Sequence, residues 1–282
     1  MSSQLSVIVP TRDRPAALSS CLDALSAQTA AHRLEVIVVD DGSLQPLAVA
    51  AAVARHPHAR LLQGHGNGPA AARNVGAEEA SGAVLCFTDD DCAPHPDWAE
   101  RLAAEIDGGA DAAAGRTLGA GGALAAAAEF VAHAPARADS SNGSRVAFAP
   151  SNNLACAKTV WESVRFDESY PDAAAEDRDW CERLAQAGYA VVSVETACVV
   201  HRQDVTLRSF LQRQVRYGRG AYRFRRREGG RARLEPPGFY GALLRDAFAQ
   251  GVTVGLLVVL AQIATAFGFM RAAAAQRRHR RF

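Results

Sequence analysis

Short apolar runs recur along the first ninety residues, and each of them ends in polar residues. The runs are Leu5–Pro10, Leu34–Val39 and Ala83–Phe87. A continuous apolar run of this length is typical of a strand buried on both faces. Leucines at helical spacing occupy Pro15–Gln28, between the first two runs. This alternation predicts an α/β fold with a mostly parallel central sheet covered by helices on both faces.

Acidic side chains follow two of these predicted strands. Asp40 and Asp41 come after the second strand, and Asp89, Asp90 and Asp91 follow the third. The carboxyl ends of parallel strands meet at one edge of a sheet, where ligands bind in open α/β folds. Adjacent carboxylates repel one another, which favours a bound cation or another positive partner. The alternative is an acidic turn without such a function, because Asp is common where strands stop.

Other polar residues are placed by the same alternation. Arg73 and Asn74 lie in the first turns of a predicted helix, Ala70–Ala80, where free amides and the dipole favour an anion. An ordinary glycine turn before that helix is the alternative. Glu176 and Asp177 open a second predicted helix, where acids can also act only as partners of the helix dipole.

Two further features predict where the chain leaves the sheet and where it forms a loop. Pro94 and Pro96 predict that the chain leaves the sheet directly after the aspartate triplet. Residues 117–146 are rich in Ala, Gly and Ser and lack a period. We therefore predict a mobile cover or acceptor loop there, without regular structure.

The net charge of +1 conceals an asymmetry between the two parts of the chain. Residues 1–200 carry 14 basic and 26 acidic side chains, whereas residues 201–282 carry 17 arginines and 4 acids. A basic amphipathic helix is predicted over Thr206–Arg227, and residues 247–270 form an uncharged stretch of 24 residues. That stretch is long enough to span a membrane, although an interfacial helix or a buried helical hairpin is compatible with its polar residues.

Cysteine spacing and the N-terminus bear on the compartment. The six cysteines contain no CxxC pair, so we read them as reduced thiols of a cytoplasmic protein. The first apolar run is too short for a signal peptide. With the basic and apolar tail, these observations predict a protein at the cytoplasmic face of the cell membrane, either membrane-associated or with a single span.

Six segments occur in order along the chain: SVIVPTRDRP, VIVVDDGS, GPAAARNVGAEEASG, VLCFTDDDC, SNNLACAK and EDRDWCERL. Together they resemble the family 2 glycosyltransferases, which have the Rossmann-like GT-A fold. The resemblance runs from Leu5 to about His201. It implies an inverting enzyme that transfers a sugar from a nucleotide-diphosphate sugar to a hydroxyl of a glycan or lipid-linked acceptor. It also implies a role in polysaccharide or cell-envelope biosynthesis.

The resemblance implies a role for each residue that matches a family motif. Asp177 would be the general base, and Asp91 would hold Mg²⁺ or Mn²⁺ on the diphosphate, with His201 as a further candidate near the metal. The residues implied to contact the donor are Pro10, Thr11, Arg12, Asp40, Asp41, Arg73, Asn74, Asp89 and Asp90. Those assigned to the acceptor or sugar region are Asn152, Asn153, Glu176, Arg213 and Arg216.

We therefore predict a GT-A catalytic domain over residues 1–235 and a membrane-associated tail over residues 236–282. Within the first, the acceptor side covers about 117–205 and the basic helix about 206–227. A non-catalytic nucleotide-sugar-binding or scaffold protein and a nucleotidyltransferase are the alternatives. The latter would need an early basic signature, yet the only lysine is Lys158. We expect no nucleic-acid partner, because nothing beyond the arginine content supports one.

Overall fold

The computed structural model describes residues 4–134, 145–227 and 237–279. Its strands are β1 Leu5–Thr11, β2 Leu34–Asp40, β3 Ala59–Gln63, β4 Val84–Thr88, β5 Cys92–Pro94, β6 Ala112–Ala120, β7 Arg145–Val146, β8 Asn153–Ala157 and β9 Val191–Arg202. Its helices are α1 Pro15–Ser26, α2 Pro46–Val53, α3 Pro69–Glu78, α4 Trp98–Asp107, α5 Ala123–Ala132, α6 Lys158–Ser163, α7 Glu176–Gln186, α8 Leu207–Arg227, α9 Pro237–Ala249 and α10 Val252–His279.

The strands form one nine-stranded sheet in the order β3-β2-β1-β4-β8-β6-β9-β5, with β7 paired to β9. The first four strands of this order are parallel, as the apolar runs predict. Beyond β4 the sheet is mixed, because β8 pairs antiparallel with both β4 and β6, while β6 and β9 are parallel. The carboxyl ends of β1, β2 and β4 therefore meet at one edge, which is where the predicted site should lie.

Apolar residues of β1 enter two different cores, one on each face of the sheet. Val7 packs with Leu22 and Trp98, on the side of α1 and α4. Its neighbour Ile8 packs with Trp161 on the opposite side, where α3, α6 and α7 lie. Successive side chains of a strand point to opposite faces, so a strand buried on both faces must be apolar throughout. The prediction of helices on both faces is confirmed.

Two predictions about local structure are wrong. Pro94 does not leave the sheet, because β5 pairs with β9 at the edge, where a strand tolerates proline. Residues 117–146 are not without regular structure, since β6 extends to Ala120 and α5 follows it. Residues 135–144 of that segment lie outside the described part. The apolar stretch 247–270 is interrupted by a turn between α9 and α10, where Gly251 has a φ of +125°.

The C-terminal helices pack onto the rest of the molecule. Phe130 of α5, Phe210 of α8, Leu243 of α9 and Val258 of α10 belong to one apolar cluster. The helices α8 and α10 approach closely through glycine on each side. A Cβ at Gly218 would overlap the carbonyl oxygen of Thr265, and one at Gly268 would overlap that of Val215. Only residues without a side chain allow the two helix backbones this separation.

Candidate functional site

The ends of β1, β2 and β4 bring the acidic residues together as predicted. Thr11 donates a hydrogen bond from Oγ1 to Oδ2 of the buried Asp90, at 2.7 Å. The backbone amide of Asp41 donates to the carbonyl oxygen of Thr11, at 2.9 Å. Asp40 accepts a hydrogen bond from the backbone amide of Ser43 at 2.9 Å, which holds the turn after β2. This confirms that the three strand ends lie side by side.

The two carboxylate oxygens of Asp41 differ in their contacts. Its Oδ2 accepts a hydrogen bond from the backbone amide of Gly68, at 2.9 Å. Its Oδ1 is buried and has no hydrogen-bond partner within residues 4–134, 145–227 and 237–279. Buried polar atoms are nearly always paired, so an unpaired acceptor at a strand end fits a ligand that donates a hydrogen bond.

Asp90 and Asp91 are both bound by Arg14, a residue that the sequence analysis did not single out. Its guanidinium lies 2.8 Å from Asp90 and 2.7 Å from Asp91. Burial raises the pKa of Asp90 to about 7, even though Arg14 opposes the shift. The sequence signal that could have identified Arg14 is its position in the turn after β1. This strand pairs with β4, which the aspartate triplet follows.

His201 is held between two carboxylates. The strand β9 pairs antiparallel with β5, which places His201 opposite Cys92 and next to Asp91. Its Nε2 lies 3.0 Å from Oδ1 of Asp91, and its Nδ1 bonds to Glu129 of α5. Burial alone would lower the pKa of His201, but the hydrogen bonds to both carboxylates raise it to about 10.

The same contacts keep Asp91 ionised. Burial opposes ionisation, but the hydrogen bond and charge of His201, with Arg14, lower the pKa of Asp91 to about 2.

Glu129 is a second residue that the sequence analysis missed. It is the only acid in the alanine-rich segment Ala123–Ala132, and a lone acid in an apolar helix is a signal for a buried polar contact.

One group of side chains has the geometry of a metal site. Asp91, Cys92 and His201 each offer a ligand atom, and these atoms lie within 4.8 Å of one another. Burial raises the pKa of the Cys92 thiol well above its usual value, which disfavours the thiolate form that a metal binds. The carboxylate and imidazole that remain fit a hard cation such as Mg²⁺ or Mn²⁺.

Arg73 connects the aspartate triplet to the start of α7. Its guanidinium is buried and lies 2.8 Å from Asp89 and 3.3 Å from Glu176. Burial and the charge of Asp177 raise the pKa of Glu176 to about 7. Burial likewise raises the pKa of Asp177. Ala175 precedes them at φ +73°, a conformation that is uncommon for a residue with a Cβ and that occurs mainly at functional sites.

Two predicted contact residues, Asn74 and Asn153, make hydrogen bonds within the protein. The Asn74 amide bonds to Phe166 and Glu168 through Nδ2, and to Trp161 and Phe166 through Oδ1, so its hydrogen-bonding positions are all used. Asn153 accepts a hydrogen bond from Trp98 through Oδ1 and donates one to the carbonyl oxygen of Ala197 through Nδ2, which leaves one donor and one acceptor position of its amide. The donor contact of Asn74 and the acceptor contact of Asn153 stay predictions.

The other predicted residues differ in their burial and in whether they line the cavity. Asn152 lines the cavity and accepts a hydrogen bond from Thr117, at 3.2 Å. Arg213 also lines the cavity and donates to Gln203. Pro10 is buried within β1, whereas the side chain of Arg12 is exposed next to Asp13. Arg216 does not belong to the cavity lining that the described residues form.

A cavity of about 670 Å³ joins the residues of this site. Asp89, Asp177 and His201 line one part of it, together with Arg73. The lining also includes residues of α5, of the segments 148–152 and 173–178, and of α8, α9 and α10. This volume is within the usual range of about 300–1,000 Å³ for small-molecule sites.

Comparison with known proteins agrees with this geometry. The sequence model of glycosyl transferase family 2 matches residues 6–128, and that of glycosyl transferase family group 2 matches residues 83–275. The glycosyltransferase AglE of Haloferax volcanii is 31% identical over 77% of this chain and 72% of its own length. The pre-mycofactocin glycosyltransferase of Mycobacterium tuberculosis is 30% identical over 77% of this chain, which spans 46% of that relative.

Solved structures show the same fold. The mannosyltransferase PcManGT of Pyrobaculum calidifontis, in complex with GDP-Man and Mn²⁺, aligns with a TM-score of 0.61 at 20% identity, over 99% of this chain and 80% of its own. Residues 1–349 of TarS of S. aureus align with a TM-score of 0.56 at 18% identity, over 98% of this chain and 92% of theirs. The GT-A fold is confirmed, and the nucleotidyltransferase and scaffold alternatives are set aside. This chain belongs to the family 2 glycosyltransferases and is a glycosyltransferase.

Proposed function

We propose that this enzyme transfers a sugar from a nucleotide-diphosphate sugar to an acceptor hydroxyl, with inversion at the anomeric carbon. The observation that carries the proposal is the shared cavity of Asp89, His201 and Asp177. Donor-binding carboxylates and a separate carboxylate base thus face one space. A direct displacement needs this arrangement, because the nucleophile and the leaving group lie on opposite sides of the reacting carbon.

The donor nucleotide would bind at the ends of β1 and β2. The unpaired Oδ1 of Asp41 accepts a hydrogen bond from the base, and Thr11 and Asp40 hold the turns around it. Asp89 accepts from Arg73 at 2.8 Å and faces the cavity, next to the predicted position of the ribose and diphosphate. The complex of PcManGT with GDP-Man and that of TarS with UDP support a nucleotide-linked donor.

Asp91 and His201 would hold Mg²⁺ or Mn²⁺ on the donor diphosphate. A bound metal neutralises charge on the diphosphate and so makes it a better leaving group. Asp91 is ionised at neutral pH, since its pKa lies near 2. His201 offers Nε2 once it loses its proton, and Glu129 accepts from Nδ1, which orients the ring. The Mn²⁺ in the PcManGT complex supports this assignment.

Asp177 would take the proton from the acceptor hydroxyl. One of its carboxylate oxygens accepts the backbone amide of Arg178 at 2.8 Å, which leaves acceptor capacity on the side chain. Burial raises its pKa toward the working range of a general base. Glu176 is held by Arg73 and positions the start of α7. The acceptor hydroxyl belongs to a glycan or to a lipid-linked saccharide.

A thermal-shift and hydrolysis screen tests the donor. The purified protein is measured with UDP-, GDP- and dTDP-sugars, with and without Mn²⁺. We expect one nucleotide to stabilise the protein only when Mn²⁺ is present, by ~2.7 kcal/mol at 100 times its Kd. Absence of both stabilisation and hydrolysis with every nucleotide sugar would contradict the proposal and would direct the search to polyprenyl-phosphate sugars.

We also propose that α10 lies along the surface of a membrane. Val252–Gln276 is long and apolar enough to cross one by length and composition. Its exposed apolar residues share one helix face, at spacings of three and four: Val252, Leu256, Leu260, Ile263, Phe267 and Met270. Its opposite side packs along α8, which carries eight arginines and no acid. A span would draw those arginines toward the hydrocarbon core, whereas an interfacial helix leaves them near anionic headgroups.

Vesicle binding tests this contact. Replacing Ile263 and Phe267 together with glutamate removes two side chains that are each expected to contribute up to about 1.5–3 kcal/mol when buried. We expect at least about tenfold weaker sedimentation with phosphatidylcholine–phosphatidylglycerol vesicles. The control, Leu44→Glu, makes the same change at a residue that is 87% exposed on another part of the surface. Resistance of the wild-type protein to alkaline carbonate extraction would instead show a span.

A further inference from the structure

Both carboxylate oxygens of Asp91 lie against side chains of the protein. Oδ1 is 3.0 Å from Nε2 of His201, and Oδ2 accepts a hydrogen bond from Arg14, at 2.7 Å. The same guanidinium lies 2.8 Å from Oδ1 of Asp90, whose side chain is fully buried. A divalent cation on Asp91 therefore competes for this carboxylate with a positive charge that the protein itself supplies.

The guanidinium of Arg14 contacts the two aspartates through different nitrogen atoms. Nη2 lies next to the buried Asp90, and Nη1 donates to Asp91. The Arg14 side chain is half-exposed, whereas that of His201 is largely buried. The Nη1 contact can therefore be exchanged for one with another anion while Nη2 stays on Asp90, so that no buried charge loses its partner.

The backbone before Arg14 is held in an unusual conformation. Asp13 has a φ of +57°, and residues other than glycine with such a φ cluster at functional sites. Its backbone amide donates to Oγ of Ser43 at 2.8 Å, and its Oδ1 accepts a hydrogen bond from the amide of Leu44 at 2.6 Å. The turn after β2 thus fixes the turn after β1, and with it the position from which Arg14 reaches the aspartates.

We propose that Arg14 is a donor-binding residue that exchanges one partner for another. Until the donor binds, Nη1 stays on Asp91 and opposes the binding of a divalent cation there. When the donor binds, Nη1 donates instead to an oxygen of its diphosphate, and Asp91 becomes available to Mg²⁺ or Mn²⁺. Donor and metal therefore bind cooperatively, because the donor removes the charge that competes with the metal. This inference rests on the proposed function, since it concerns the same diphosphate and the same metal ligand.

Binding of Mn²⁺ alone provides the first test. Arg14→Gln keeps a hydrogen-bonding side chain but removes the positive charge. We expect it to bind Mn²⁺ without nucleotide at least about tenfold more tightly than the wild-type protein, as measured by electron paramagnetic resonance. The control, Arg101→Gln, makes the same change at an exposed residue of α4 that pairs with Asp97, and it should bind Mn²⁺ as the wild type does. Unchanged or weaker binding of Mn²⁺ by Arg14→Gln would overturn the proposal.

A second pair of variants covers the case in which Arg14→Gln does not fold. Loss of Arg14 leaves the buried Asp90 without its charged partner, which is destabilising. The double variant Arg14→Gln with Asp90→Asn removes that buried charge, and its reference is Asp90→Asn alone. We expect the double variant to bind Mn²⁺ at least about tenfold more tightly than this reference, for the same reason as the single variant. Equal affinities of the two would overturn the proposal.

Nucleotide binding tests the exchange itself. Calorimetry with UDP, GDP and dTDP, in Mn²⁺ and in EDTA, gives the factor by which the metal tightens nucleotide binding. We expect this factor to be at least about tenfold smaller in Arg14→Gln, because the competing charge is gone and a charge-assisted hydrogen bond to the diphosphate is lost. Equal factors in Arg14→Gln and the wild-type protein would show that no exchange takes place.

Asp91→Asn separates this proposal from the proposed function. If it loses Mn²⁺ binding while Arg14→Gln behaves as the wild-type protein does, the metal assignment stands and the role of Arg14 is wrong. If Asp91→Asn binds Mn²⁺ as tightly as the wild type, or if the wild type binds none of the three nucleotides, the proposed function fails and the role of Arg14 fails with it.

Discussion

Replacing Asp177 with asparagine is expected to lower the rate of sugar transfer by about 10²–10⁴-fold while donor binding is kept. The amide has nearly the same shape as the carboxylate, but it cannot accept the proton of the acceptor hydroxyl. Asp177 and Asp89 both line the cavity, and in the proposed assignment the loss of Asp177 removes the base and not a donor ligand. Initial transfer rates and the donor-induced thermal shift, measured on the same preparation, separate these two effects.

The control for this variant is Glu182→Gln, which makes the corresponding change at an exposed residue of α7. We expect it to transfer at the wild-type rate. The pH dependence gives a second readout. Because burial raises the pKa of Asp177, the wild-type kcat/KM should fall with decreasing pH at a higher pH than an ordinary carboxylate would produce. Full transfer by Asp177→Asn would show that another group is the base.

Asp91→Ala is expected to abolish the part of donor binding that depends on metal. The wild-type carboxylate stays ionised, since its pKa lies near 2, and it is the principal oxygen ligand of the proposed site. At donor concentrations of 100 times the wild-type Kd, the variant should lose most of the ~2.7 kcal/mol of stabilisation that donor and Mn²⁺ provide together. Thermal unfolding with donor, with and without Mn²⁺, measures this loss.

Removal of Asp91 also changes the stability of the free protein, because His201 and Arg14 lose a partner. Each variant is therefore compared with itself in the presence and absence of Mn²⁺. Asp91→Asn keeps the volume of the side chain and should give the same loss. Asp23→Ala, at an exposed aspartate of α1, should retain the full metal-dependent shift. Retention of that shift by both Asp91 variants would exclude Asp91 as the metal ligand.

The strands that carry the site could be predicted because their environment is uniform along their length. Parallel strands covered on both faces bury nearly every side chain, so β1, β2 and β4 consist mainly of apolar residues, with Glu35 of β2 as a partly buried exception, up to the point where the acidic residues begin. The strand β3 and the helix α2 were missed. Their partial exposure breaks the apolar pattern in β3, and α2 contains so much alanine that it has little amphipathic periodicity.

The partners of the site residues could not be predicted to the same extent. Asn74 and Asn153 match family motifs, yet their amides are used by residues far away in sequence, such as Phe166 and Trp98. Such pairings depend on how separate elements pack, and they leave no local pattern. Glu129 reaches His201 only because α5 packs on β6, the strand that pairs with β9. The compartment, the span and the domain boundary at 235/236 stay predictions, and residues 228–236 lie outside the described part.

The close approach of α8 and α10 has a consequence for substrate selection. Because Gly218 and Gly268 fix the two helix backbones against each other, Gln214 and Arg213 on α8 keep a constant distance from the exposed apolar face of α10. If that face lies on a membrane, as proposed above, the cavity would stand at a set height above the headgroups. If the proposed membrane contact and the proposed base are right, a saccharide that is too short would not reach Asp177, and one that is too long would extend past it.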